Sequence, residues 1–488
     1  MSDCRNKSPP IGKSFTVDLQ PRLGSPIATG KVNSPSIDNT FHLVNNCSED
    51  WYHRTMTYRF HKRDGRYIRR TTIFNPILIT LFVAVLFSGY YCQSGSCESP
   101  IAADSVVDSI GVNIHLHFGD TVYGNFPLIE SLLKNLGVRH TRDGLIDTTW
   151  QAYYDRHIAL GKLGIRCIFI TNPAESDAVL VNWPRRVPGA FEGYEAPNEF
   201  DNGRNANWAQ TINAFMPRLY HAVKSDPETA RYPVIGPSVV RPPDFALLSG
   251  TSSDFDFANL HNYFAGRNPG TGGWGANGYG SIAFNMNLAS SAWPGKPMMT
   301  TETGYYTDAG HDSIPEQIEG EYVPRLVLEQ MLHGIKRTYF YELIDENTTA
   351  KSNEGYFGLA HVDGSPKPAY TALKGMIALF ADPGPAFALR DFDFTLDGAP
   401  ANVHHMLAAK RDGSYYLAIW IEAQNYDVNK KQATPSTPIE VTLASRHTFA
   451  TAEVIQFGED GSPSTKKIKP GANIPLMVSD RIVVLHLK

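Results

Sequence analysis

From Asp108 onward short β-prone runs alternate with longer stretches of helical spacing, and this alternation constrains the fold more than any other feature of the chain. Strand, helix, strand in succession implies a parallel sheet with helices packed on it. The β-prone runs are 110–118, 138–144, 165–171, 191–195, 233–238, 257–263, 297–302 and 338–343. Helical spacing of apolar residues is clear over 127–136, stopped by Gly137, over 150–163, stopped by Gly164, and over 208–224 and 322–332. Eight strands separated mostly by helices predict an α/β fold in which residues 101–382 close into a (β/α)₈ barrel.

After about residue 382 the pattern changes. The runs 403–410, 415–422, 439–443, 452–457 and 481–487 read as strands divided by turns such as Asp412-Gly413 and Asp460-Gly461, with no helix among them. They predict a smaller antiparallel β-sandwich over 386–488. The connection Ala381-Asp382-Pro383-Gly384-Pro385 is short and stiffened by two prolines, so the sandwich is expected to pack against the barrel.

In a barrel of this kind, residues just past the C-terminal ends of the strands converge on one face, where catalysis occurs. Two carboxylates fall there: Glu199, in Tyr194-Glu195-Ala196-Pro197-Asn198-Glu199, and Glu302, in Thr300-Thr301-Glu302-Thr303-Gly304. A pair of carboxylates flanking one bond is what most glycoside hydrolysis requires. One stays protonated to serve the leaving oxygen, and the other is ionised to attack carbon or to activate water.

With these residues in place, the chain resembles the retaining glycoside hydrolases of the large (β/α)₈ superfamily called clan A, over residues 108 to 380. The resemblance implies a TIM barrel in which an Asn-Glu pair ends strand four with the Glu as acid/base, matched by Asn198-Glu199. It implies a nucleophile ending strand seven, matched by Glu302. It also implies a His-x-Tyr at strand six, matched by His261-Asn262-Tyr263, and an Arg at the end of strand two that orients the nucleophile, matched by Arg142. The stretch from Gly358-Leu359 to Pro366-Lys367-Pro368-Ala369-Tyr370 resembles the usual segment after strand eight. Many clan members carry a Trp near the end of strand eight as a sugar platform. Here the run is Tyr339-Phe340-Tyr341-Glu342-Leu343, and Tyr341 stands as the aromatic candidate for substrate contact.

Other polar residues have a bland reading beside a sharp one. His115 and His117 share a strand face. A His-x-His pair can ligate metal, but no third ligand follows closely, so His115 is expected in the barrel interior or against a sugar. No metal and no organic cofactor is expected. Asp201 is expected to cap the next helix. Glu342, Asp345 and Glu346 are expected either to touch substrate or to be solvated loop charges, the latter being the default. The Gly/Asn-rich stretch 266–280 reads as a loop over the site, with Trp274 and Tyr279 either touching polysaccharide or pinning the loop.

Residues 1–70 are rich in Ser, Pro and Asn and end in basic residues, and they read as disordered. The apolar segment within 73–91 follows that basic stretch and reads as a signal sequence or a membrane anchor. A third outcome, lipidation of Cys97, is weaker because Ser94 stands where an apolar residue is usual; all three put the large domain outside the cytoplasm, membrane-anchored or released. Net charge is −5 with no basic run in the folded part, which argues against a nucleic-acid partner. The five cysteines show neither a disulfide framework nor a zinc spacing. The sequence therefore predicts a retaining β-glycoside hydrolase acting on an extracellular oligo- or polysaccharide. The rival reading is a non-catalytic carbohydrate-binding or envelope-scaffold protein on the same barrel.

Overall fold

The computed structural model describes residues 96–488 apart from 204, 308–309 and 347–352. The segment 1–70 and the signal or anchor segment 73–91 lie outside the described residues. Among the described residues no helix is long and apolar enough to cross a membrane.

Eight parallel strands form the barrel: Ile110–Asn113, His140–Gly144, Arg166–Ile170, Phe191–Glu195, Val234–Ile235, Ala258–His261, Met298–Thr303 and Thr338–Phe340. Each lies beside its sequence neighbour, and the eighth pairs with the first through Thr338↔Ile110 and Phe340↔Val112. The fifth and sixth strands meet through the bridge Ile235↔Phe257, which completes the ring. All eight predicted runs hold strands, several of them shorter than their runs. The first ends at Asn113 because the chain turns at His115, whose carbonyl accepts from the Phe118 amide. Helices cover the outside, among them Phe126–Leu136, Gln151–Lys162, Trp208–Ser225, Glu316–Leu332 and Pro368–Phe380. Gly137 ends the first of these in the left-handed conformation, φ 81°, as a residue without Cβ allows. A further helix, Asp177–Arg186, was not legible; Ser176 caps it by accepting from the Val179 amide, and Leu180 and Trp183 are its buried face.

A small apolar plug fills the barrel interior: Ile168, Ile235, Met299 and Tyr339, with Phe257 against them. Tyr339 crosses the space beside Gly111 so closely that a Cβ there would sit 2.3 Å from its ring. That contact accounts for glycine in a strand interior, where it is otherwise unfavourable.

The sandwich has a four-stranded sheet, Ser96–Glu98, Phe392–Asp397, Ile439–Ser445 and Asn473–Val478, facing a six-stranded sheet. The six-stranded sheet contains Val403–Ala409, Tyr415–Ile421, Val483–Leu487, Ala452–Phe457 and Pro463–Ile468, and Ile101–Ala102 joins its edge in parallel. The chain thus passes through both sheets before it enters the barrel. Phe392, Leu407, Leu417, Ile419, Leu443 and Leu485 pack between the sheets. The other side of the six-stranded sheet shares one continuous core with the barrel helices, through residues such as Ala418, Trp420, Ile455 and Val484. Arg325, fully buried on Glu316–Leu332, donates its Nε to Glu422 at 2.9 Å. The expected packing of sandwich on barrel is what the structure shows.

Candidate active site

Arg142, at the C-terminal end of the second strand and 1% exposed, is the hub of the site. Its Nε and Nη2 donate to the two oxygens of Glu195, each at 2.7 Å. Nη1 donates to Glu302 Oε1 at 2.6 Å and to Asn113 Oδ1 at 2.8 Å, and Nη2 donates to Asn198 Oδ1 at 2.6 Å. The planar fork of a guanidinium suits this work, because one group meets five acceptors in fixed directions. Glu195 is fully buried and also accepts from Asn259 Nδ2 at 3.0 Å. Asn113 donates to the carbonyls of Thr301 and Phe340 at 3.1 and 3.2 Å, tying the first strand to the seventh and eighth.

Glu302, the fifth residue of the seventh strand and 8% exposed, receives Arg142 on Oε1 and the Tyr263 hydroxyl, at 3.1 Å, on Oε2. Burial alone would push its carboxyl up, but the charges of His261 and Arg142 and the hydrogen bonds from Arg142 and Tyr263 outweigh burial and hold it below the usual carboxylate range. It is an ionised carboxylate presented at the bottom of the site. Tyr263 stays protonated, because burial and the charges of Glu302 and Glu199 push its phenol well up.

Glu199 follows the fourth strand in a left-handed conformation, φ 40° and ψ 47°. Its Oε1 lies 2.8 Å from His261 Nδ1, and His261 Nε2 lies 3.1 Å from the Thr301 hydroxyl. That hydroxyl lies 2.7 Å from Asn259 Oδ1, an acceptor, so it donates there and accepts from His261 Nε2–H. Burial lowers the His261 pKa, but the charge of Glu302 and the bond and charge of Glu199 outweigh it, so the imidazole is held above its usual value. One carboxylate oxygen from each of Glu199 and Glu302, with His261 nitrogen, lies within 4.8 Å of the others.

Six sequence-predicted residues therefore meet: Glu199, Glu302, Asn198, Arg142, His261 and Tyr263. His115 and Tyr341 form an adjoining wall, their rings 5.6 Å apart. Burial pushes His115 down to about 4, against smaller raising effects of Asp143 and Glu302, so it is a neutral imidazole at pH 7. Its Nε2 lies 3.5 Å from Glu342 Oε2 and 4.0 Å from Glu346 Oε1.

Several expectations need correction. Glu342 and Asp345 are not solvated loop charges; they are 0% and 1% exposed. The segment 356–360 folds back over them, with Leu359 N–H on the Glu342 carbonyl and Asp345 N–H on that of Ala360. Asp345 is paired with Lys367 at 2.8 Å, and Glu342 accepts from the Tyr123 hydroxyl at 2.7 Å. Burial, with the charge of Glu346 behind it, pushes the Glu342 carboxyl well above its usual range. Asp201 does not cap the next helix, which begins at Trp208; its carboxylate accepts instead from the amides of Val240 and Arg241. Trp274 pins its loop, pairing with Tyr279 through the backbone and carrying the Arg267 guanidinium 4.2 Å above its ring. Sequence reasoning missed Glu195, Asn113 and Asn259 as site residues; the one signal was that Asn113 and Glu195 are the last residues of their barrel strands, and Asn259 carried none.

Among the described residues three sets offer atoms close enough to hold a cation: Glu199, His261 and Glu302; His115, His117 and Asp143; and His115, Glu342 and Glu346. The first is bound up in the network above, and in the second Asp143 already lies 2.9 Å from His117 and 3.2 Å from His157. In the third, His115 Nε2, Glu342 Oε1 and Glu346 Oε1 are buried atoms with no hydrogen-bond partner.

No protein-family model matches the sequence, and no curated protein matches it. Solved structures do. A family 39 glycoside hydrolase from the gut symbiont Bacteroides cellulosilyticus WH2 is 14% identical with a TM-score of 0.57, over 80% of this chain and 82% of that one. The GH39 enzyme from Xanthomonas axonopodis pv. citri is 17% identical with a TM-score of 0.55, over 80% and 96%. A monomeric beta-xylosidase from Caulobacter crescentus CB15 is 16% identical with a TM-score of 0.52, over 80% and 97%. The chain has the fold of these proteins, a (β/α)₈ barrel joined to a β-sandwich.

Proposed function

We propose that the protein is a retaining β-glycoside hydrolase that acts on an oligo- or polysaccharide by double displacement. The observation that carries this reading is the spacing of the two carboxylates. One oxygen of Glu199 lies within 4.8 Å of one oxygen of Glu302, an approach that favours the roughly 5–5.5 Å carboxyl separation of retaining enzymes over the roughly 6.5–9.5 Å that admits a water in inverting ones. Their surroundings differ: Glu302 is held ionised by His261 and Arg142, and Glu199 Oε1 faces His261 Nδ1 at 2.8 Å.

Glu302 attacks the anomeric carbon as the glycosidic C–O bond breaks, and Glu199 gives its proton to the departing oxygen. Water then attacks the glycosyl ester, Glu199 takes the water's proton, and Glu302 is released. Arg142 and Tyr263 hold the nucleophile in place and keep it ionised until it attacks. The partnerless atoms of His115, Glu342 and Glu346, beside Tyr341, are suited to sugar hydroxyls. The order of basic then apolar residues before 91 supports export of the folded part, which cell fractionation of the full chain with and without 77–87 tests.

Azide separates the two roles. Glu199→Ala with a dinitrophenyl β-glycoside and azide should give the β-glycosyl azide, and Glu302→Gly should give the α-azide. Exchange of the two configurations would reverse the roles, full activity of both variants would show that neither residue is catalytic, and a parent protein inactive on every glycoside would favour the binding-protein reading.

A further inference from the structure

Glu199 is one of three non-glycine described residues at positive φ, and the conformation is held from outside its own strand. The loop after the fifth strand grips the turn that carries it. The Ala196 amide donates to the Ile235 carbonyl at 2.9 Å. The Glu199 amide donates to Ser238 Oγ at 3.0 Å, and Ser238 is 2% exposed. The Asp201 carboxylate, 7% exposed, accepts from the Val240 amide at 3.0 Å and from the Arg241 amide at 3.1 Å. A left-handed Glu persists only where surrounding contacts over-determine it.

We infer that Ser238 and Asp201 are positioning residues for the acid/base: they hold the backbone at Glu199 left-handed and so aim its carboxyl at His261 and at the leaving oxygen. The inference rests on the reading of Glu199 as acid/base. The geometry gives each a separate part. Ser238 satisfies the one backbone donor at the residue whose φ is reversed. Asp201, two residues on, fixes the far side of the turn to the same loop. If Ser238 loses its hydroxyl, the Glu199 amide loses its acceptor and the turn can relax toward negative φ. Catalytic groups tolerate displacements of only about 0.5 Å, so proton delivery suffers while the nucleophile, on the seventh strand, stays in place.

The test compares two aryl β-glycosides of one sugar, a dinitrophenyl glycoside that leaves without help and a methylphenyl glycoside that needs a proton. Ser238→Ala should lower kcat/KM on the methylphenyl glycoside by roughly 10–100-fold, part of the 10²–10⁴ that general acid catalysis contributes. On the dinitrophenyl glycoside the loss should stay under about 3-fold. Asp201→Asn should show the same selectivity more weakly, and Ser238→Thr, which keeps the hydroxyl, should restore the methylphenyl activity. A crystal structure of Ser238→Ala should show Glu199 at negative φ. Equal losses on both substrates, or no loss on either, would overturn the inference. Glu199→Ala is the control: if it shows no leaving-group dependence, the acid/base reading fails and this inference with it.

Discussion

His261 Nδ1 stands 2.8 Å from Glu199 Oε1 and, on the same atom, 3.5 Å from Glu302 Oε2. One imidazole thus faces both carboxylates. Because its folded pKa is raised above the usual histidine value, its charged form stabilises the fold. That contribution is fully present below the unfolded pKa of about 6.5 and is lost as pH rises through the folded value. The Tm difference between the parent and His261→Ala should therefore be largest below pH 6 and should shrink on the alkaline side. A difference that grows with pH would contradict the assignment.

Arg142 governs the acid limb of activity. Glu302 is held below its ordinary value by His261 and Arg142 acting against burial, so kcat/KM should be sustained to below about pH 4.5 before the nucleophile is protonated. Arg142→Lys keeps the charge but loses the fork that binds Glu195, Glu302 and Asn198 together. The acid limb should move up in pH, and kcat/KM should fall by about 10²-fold. A pH–rate profile measured on both proteins decides this.

A second buried acid affects stability alone. Glu319, on the helix Glu316–Leu332, is 1% exposed with a partnerless Oε2, and burial pushes it up to about 8. Its folded pKa lies above its unfolded one, so the folded state binds the extra proton, and stability falls as pH rises from about 4.5 to about 8. Glu319→Gln removes that dependence. It should raise Tm by roughly 2–4 °C at pH 8 and leave it nearly unchanged at pH 4, as thermal scans at the two pH values will show.

The sandwich also holds loops of the barrel. Glu422 accepts from Asn268 Nδ2 at 2.6 Å and from the Gly270 amide at 2.9 Å, five and seven residues beyond Tyr263 in the chain. Lys431 donates to the carbonyls of Gly310 and His311, both at 2.6 Å, in the loop after the seventh strand. Lys431→Met should speed amide hydrogen exchange over 310–313 while shifting Tm by under about 2 °C. Glu422→Ala leaves Arg325 buried without its anion and should cost about 3–5 kcal/mol in denaturant unfolding.

The barrel was legible because short β-prone runs alternate regularly with helical spacing, and Glu199 and Glu302 were legible because strand ends are where chemistry gathers. Glu195 was quoted but not assigned a role, since nothing local says that a strand residue four before the acid/base accepts both arms of Arg142. Glu342 and Asp345 were misjudged for a related reason. Past a strand end, charge reads as solvent, and only the return of 356–360 across them buries it. The sandwich strand Pro463–Ile468 escaped because it is almost wholly exposed and polar, so no apolar alternation marked it. The strands Ser96–Glu98 and Ile101–Ala102 are too short for any period to show, and they are set by partners about 300 residues away.

The central claim is that Glu302 carries the sugar in a covalent intermediate. A panel of 2-deoxy-2-fluoro β-glycosides with a dinitrophenyl leaving group slows both steps, and the slower second step lets the intermediate accumulate. The account predicts stoichiometric labelling with release of dinitrophenol, and peptide mass spectrometry that places the fluorosugar on Glu302 in the peptide containing Thr301-Glu302-Thr303. A label on Glu199, or turnover of the parent glycoside with an inverted first product and no label on any residue, would contradict it.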